Sequence, residues 1–89
     1  MADYFYLDIE TSDYRDGVAY YEFVDTVPTR QVTNVDDEWL TSRKDYHPLI
    51  GPLLTDQYLQ PDEFPEENRI TAEKFERLWM RAVEQEDSK

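Results

Sequence analysis

The chain has 89 residues, 21 acidic and 9 basic, for a formal net charge of −12, and it contains no cysteine. That length is one domain with a thin core, and the missing thiols exclude disulfide stapling, thiolate zinc sites, iron–sulfur ligation and cysteine nucleophiles. The charge repels free nucleic acid and anionic membranes at long range and favours encounter with a basic protein.

No apolar run approaches the roughly 20 residues that span a bilayer. The N-terminus lacks the basic and long apolar regions of a secretory signal. A cytoplasmic, bacterial protein or one from a virus of bacteria is expected.

Residues 3–11 alternate, with Phe5, Leu7 and Ile9 on one side and Tyr4, Tyr6, Asp8 and Glu10 on the other. That is the period of a half-buried strand. A polar stretch ending in Gly17 leads to a second strand, Val18–Val24, so the two read as a hairpin with a longer loop. Thr26-Val27-Pro28-Thr29 breaks the run. Arg30–Val35 alternates again, Asp36-Asp37 is a turn, and Glu38–Ser42 can make a short fourth strand.

From Arg43 to Pro65, four prolines and Gly51 forbid a continuous element, yet Leu49, Ile50, Leu53, Leu54, Tyr58, Leu59 and Phe64 are too apolar for a linker. An ordered, irregular wrap over residues 43–65 is expected, with one helical turn near Thr55–Leu59. The last element is a helix from Ala72 to about Gln85. Thr71 caps it, Glu73 suits its dipole, Ile70 staples onto Phe75, and Phe75, Leu78, Trp79 and Ala82 form its apolar stripe. Glu73 faces Arg77 at the favourable spacing. Residues 86–89 are expected to fray. Together these elements predict an α+β fold: a three- or four-stranded antiparallel sheet with one C-terminal helix packed on a face, in a single domain over 1–89.

Leu7-Asp8-Ile9-Glu10-Thr11 resembles the first motif of the DEDD exonuclease superfamily. Alternate carboxylates on a strand face one side and can hold the divalent cations of two-metal phosphoryl chemistry. The further acidic motifs and helical crossovers of that family have no counterpart in the pattern, and the single histidine, His47, precedes a proline. Asp8 and Glu10 read first as solvated charge on a strand. Asp62-Glu63 with Glu66-Glu67 lacks the ligand spacing of a calcium loop, and Pro65 interrupts it.

Seven tyrosines are more than a small core takes easily. If Tyr20 and Glu22 lie beside Tyr4, Tyr6, Asp8 and Glu10, the outer face of the sheet becomes aromatic rings among carboxylates. Such a face suits a lysine- or arginine-rich protein, although cross-strand tyrosine pairs can equally serve the sheet alone. YEFVD (21–25), Arg30-Gln31-Val32 and ITAEKFERLWMRA (70–82) are similar to a group of small, acidic, uncharacterised bacterial domains that are immunity-like. The resemblance implies neutralising or sensing a partner protein without catalysis. The Asp36-Asp37-Glu38 turn departs from the glycine-bearing hairpin usual in that group.

The expectation is therefore a small acidic protein-binding module, inhibitory or immunity-like, and not an enzyme. It would engage a basic protein partner through Tyr4, Tyr6, Asp8, Glu10, Tyr20 and Glu22. No cofactor, metal, direct nucleic-acid contact or membrane contact is expected; mimicry of DNA's phosphate array is a related possibility, and monomer and homodimer both stay open. A housekeeping or assembly domain with incidental acidity is the alternative. A metal-dependent nuclease-like protein using Asp8 and Glu10 is the third reading.

Overall fold

The computed structural model describes residues 2–11, 13, 15–44, 46–48, 50–55, 63 and 65–88. Its elements are β1 (Ala2–Glu10), β2 (Asp16–Val24), β3 (Val27–Val35), β4 (Glu38–Thr41), β5 (Tyr46–His47), β6 (Gly51–Pro52), a 3-10 turn at Glu66–Asn68 and α1 (Ala72–Asp87). The first four strands form one antiparallel sheet in chain order, β5 and β6 form a small second sheet, and α1 packs on a face of the first. The expected α+β architecture is what the chain adopts. The turn expected at Thr55–Leu59 lies, beyond Thr55, outside the described residues, as do Tyr14, Leu49, Tyr58 and Phe64.

Each hairpin shows how its residues set the path. The β1–β2 loop is closed by the Thr11 N–H donating to the Arg15 carbonyl at 2.9 Å and the Arg15 N–H donating to Thr11 Oγ1 at 3.1 Å. Between β2 and β3 the turn is tighter than the Thr26–Thr29 break suggested. Val24 pairs with Val27, and the two residues between them, Asp25 and Thr26, take φ of 51° and 71°, the left-handed pair that suits the twist of a two-residue hairpin. β3 therefore begins at Val27 and includes Pro28. It tolerates the proline because the ladder shifts there: Glu22 faces Arg30, Phe23 faces Pro28, and Thr29 is the extra residue of a bulge.

Both faces of the sheet carry buried residues. Phe5, Ala19, Phe23, Thr33, Val35 and Leu40 are buried on one, where Leu53 is also buried and Thr55 donates its N–H to Gln31 Oε1 at 2.9 Å. The other face carries Val32 under Phe75 and Ala82 of α1, with Tyr4, Tyr20, Trp39, Ile70 and Trp79 packed around them. Thr71 caps α1 by accepting the Lys74 N–H, and Glu73 pairs with Arg77 at 2.8 Å.

The two edges of the sheet are managed differently. Along β1, the Ile70 N–H donates to the Tyr4 carbonyl at 3.0 Å and Asn68 Nδ2 to the Tyr6 carbonyl at 2.7 Å. Along β4, the outward N–H of Trp39 donates to Gln85 Oε1 at 2.6 Å and that of Thr41 to Glu86 Oε2 at 2.9 Å. The helix runs on to Asp87 because of these contacts. Glu86, expected in the frayed tail, has a side chain only 4% exposed and also takes Arg43 at 2.9 Å.

Candidate functional site

The register brings all six expected interface residues onto one face. Tyr4 pairs with Glu22, Tyr6 with Tyr20, Asp8 with Val18 and Glu10 with Asp16. That face is not the outer one, however. The helix lies on it and divides the six into a covered pair and a more open group of four.

Tyr4 and Glu22 are the covered pair. The Tyr4 ring centroid is 5.3 Å from that of Phe75, and its hydroxyl donates to Glu22 Oε2 at 3.0 Å. Glu22 is 8% exposed and is gripped by Arg30 through Nε at 2.9 Å and Nη2 at 2.7 Å, with Thr29 Oγ1 donating at 2.8 Å. Arg30 also bonds Glu76 of the helix, and its guanidinium lies 5.1 Å from the ring centroids of both Phe75 and Trp79. The hydrogen bonds from Arg30 hold the Glu22 carboxyl down at about 2, against the opposing effect of burial, and those from Thr29 and Tyr4 act in the same direction. Burial, then the Glu22 carboxylate, push the Tyr4 phenol up. Glu22 was expected as solvent-facing charge. It is instead the centre of a polar clamp between sheet and helix, because an arginine stands opposite it on β3.

Tyr6, Asp8, Glu10 and Tyr20 are the more open group, although Tyr20 also packs against the Val32, Phe75 and Ala82 cluster under the helix. Asp8 and Glu10 are exposed, and the two tyrosines are half-buried. Tyr6 and Tyr20 have ring centroids 6.3 Å apart at 41°, and Tyr20 stacks on Trp39 at 6.3 Å and 12°. The guanidinium of Arg81 sits 5.3 Å over Trp39. An aromatic band thus crosses the sheet from β1 to β4. Burial first, then Tyr6 and Asp8, raise the Tyr20 phenol.

Beyond that band lies the acidic end of the sheet. In a meander of four strands, the first and third connections fall at the same end. The first carries Glu10, Asp13 and Asp16 and the third carries Asp36 and Asp37, all exposed, with half-buried Glu38 beside them. Arg15 ties the two loops together, at 2.9 Å from Asp13 and 3.0 Å from Asp36. The Thr11 hydroxyl, which hydrogen-bonds Asp13, and then Arg15 lower the Asp13 carboxyl. Asp13, Asp16, Asp36 and Asp37 were not singled out from sequence. Adding the acids of alternate turns along a predicted meander would have found them.

Other groups are less concentrated. Glu63, Glu66 and Glu67 are exposed, Arg69 takes Glu66 at 2.9 Å, and Asp56 and Asp62 lie outside the described residues. His47 Nε2 is 3.9 Å from Glu38. A cleft on the opposite face is lined by Ile9, Tyr21, Gln31, Ile50, Leu54 and Thr55, but the Gln31 amide is already engaged by Thr33 and Thr55. Among the described residues no group of three or more carboxylate or imidazole side chains is placed to hold a metal ion, so Asp8 and Glu10 have no third ligand there. Among the described residues no helix is long and apolar enough to cross a membrane. No family model, no curated protein and no solved structure matches the chain.

Proposed function

We propose that the chain is a protein-binding module, inhibitory or immunity-like, that engages a basic protein through the acidic end of its sheet and the adjoining half-buried tyrosines. The observation that carries this reading is the convergence of Glu10, Asp13, Asp16, Asp36, Asp37 and Glu38 at one end with Arg15 among them. Like charges held together raise the electrostatic energy of the isolated domain, and a cationic partner relieves it. Tyr6 and Tyr20 supply the contiguous ring area with polar tips that protein interfaces favour. Catalysis is not part of this reading, which needs no cofactor.

The test is affinity capture on the immobilised domain, eluted with a salt gradient. The control is a variant neutralised at exposed positions, Glu10→Gln, Asp16→Asn, Asp36→Asn and Asp37→Asn. A basic protein released at high salt from the original domain and not held by the variant is the expected result. Equal retention by both, or symmetric self-association with no other protein held, would overturn the reading in favour of an assembly role.

A further inference from the structure

We infer that Tyr6, Asp8 and Tyr20 form a receptor for one arginine side chain of the basic partner, an inference that rests on the function proposed above and narrows it. The molecule uses the same recognition chemistry on its own arginines. Arg30 lies against Phe75 and Trp79 while bonded to Glu22 and Glu76. Arg69 lies 4.8 Å over the Phe5 ring while 3.6 Å from Asp3. In each case a ring supplies the face and a carboxylate supplies the charge.

Tyr6, Asp8 and Tyr20 repeat that combination. Asp8 follows Tyr6 by one pleat on the same face, and because Asp8 pairs with Val18 it lies diagonal to Tyr20, within reach of a long side chain. The two rings are already paired, Tyr20 is backed by Trp39 and by the cluster under the helix, the Tyr6 hydroxyl reaches the Glu67 carbonyl at 3.5 Å, and the Asp8 carboxylate is exposed. Among the described residues no cation pairs with Asp8 or covers these rings, whereas Arg81 occupies the far end of the same band over Trp39. A guanidinium fits better than an ammonium, since it is planar, weakly hydrated, and can stack on a ring while its edge meets a carboxylate.

The test is an NMR titration of the whole chain, labelled for backbone amides and tyrosine rings. The probe is a short capped peptide holding two arginines spaced by glycines, with lysine and norleucine counterparts. The arginine peptide should move the ring signals of Tyr6 and Tyr20, the lysine peptide should bind more weakly, and the norleucine peptide should do nothing. Asp8→Asn, an exposed isosteric change, should weaken the arginine peptide by about two- to fivefold. If amides at the acidic end shift while the tyrosine rings do not, the arginine receptor is wrong and the protein-binding reading stands. Ring shifts unchanged by Asp8→Asn also overturn the receptor. If neither cationic peptide moves any signal, both proposals fall.

Discussion

Replacing Glu22 by glutamine tests whether charge, rather than shape, locks the helix onto the sheet. In the folded chain the Glu22 carboxyl titrates at about 2 against an ordinary 4.5, chiefly because Arg30 donates to it. The carboxylate side chain is 10% exposed and that of Arg30 27%, so solvent screens the pair little. A depression of that size corresponds to about 3 kcal/mol of stability at neutral pH. The sign follows from the direction of the shift. The unfolded chain takes up this proton near its ordinary pKa and the folded chain only near 2, so the contribution is complete above about pH 4.5 and is lost as pH falls towards 2. Glu22→Gln keeps the size and one acceptor but removes the charge. Urea unfolding followed by tryptophan fluorescence should show the variant less stable by about 3 kcal/mol at pH 7, with the gap closing steadily below pH 4.5. A gap that stays constant from pH 7 to pH 3 would mean that lost packing is responsible, and the electrostatic account of the clamp would be refuted.

Thr26→Gly should stabilise the fold by about 1 kcal/mol and raise Tm by about 5 °C, because a β-branched residue at φ 71° is strained where glycine is not; a lower Tm in calorimetry would show that the threonine side chain is needed. Gly17→Ala should lower stability by about 2 kcal/mol in urea unfolding, since an added Cβ would stand 2.7 Å from both the Asn34 carbonyl oxygen and Val35 Cγ2; an unchanged midpoint would refute the steric reading. Glu86→Ala should cost about 2 kcal/mol by leaving the Thr41 N–H and hydroxyl without their acceptor and removing one of the carboxylates that Arg43 pairs with. In that variant, hydrogen exchange should accelerate at Thr41 more than at the mid-sheet amide of Val32.

The strands and the helix were legible because each carries one strong period, and Thr71 with Glu73 marks the helix start unambiguously. The side on which the helix packs was not legible. Tyrosine serves either a core rim or a wet face, so alternation in β1 alone left the choice open. The discriminating signal was across the strands: Arg30 stands opposite Glu22 on the same face as Val32, with Glu76 on the helix as a second acceptor. A cation surrounded by acids and rings marks a covered face better than aliphatic content does. The helix end misled for a related reason. Glu84, Glu86 and Asp87 in the last turn, with no basic residue there, oppose the helix dipole and suggest fraying. The β4 edge supplies the missing donors, which is a tertiary effect that no local pattern contains.

The candidate site follows from the same sorting of charge. Arg30, Arg43, Arg69 and Arg77 are all drawn into ion pairs that hold the sheet to the helix, cover β1 or run along the helix face. Four of the arginines thus serve cohesion, while Arg15 joins the carboxylates at the end of the meander. Self-repulsion there acts against compactness, and the chain sustains it because the loops are pinned on a sheet whose faces are both packed. A flexible acidic tail would relieve the same repulsion by spreading apart. Holding it in place preserves a concentrated negative surface beside half-buried rings.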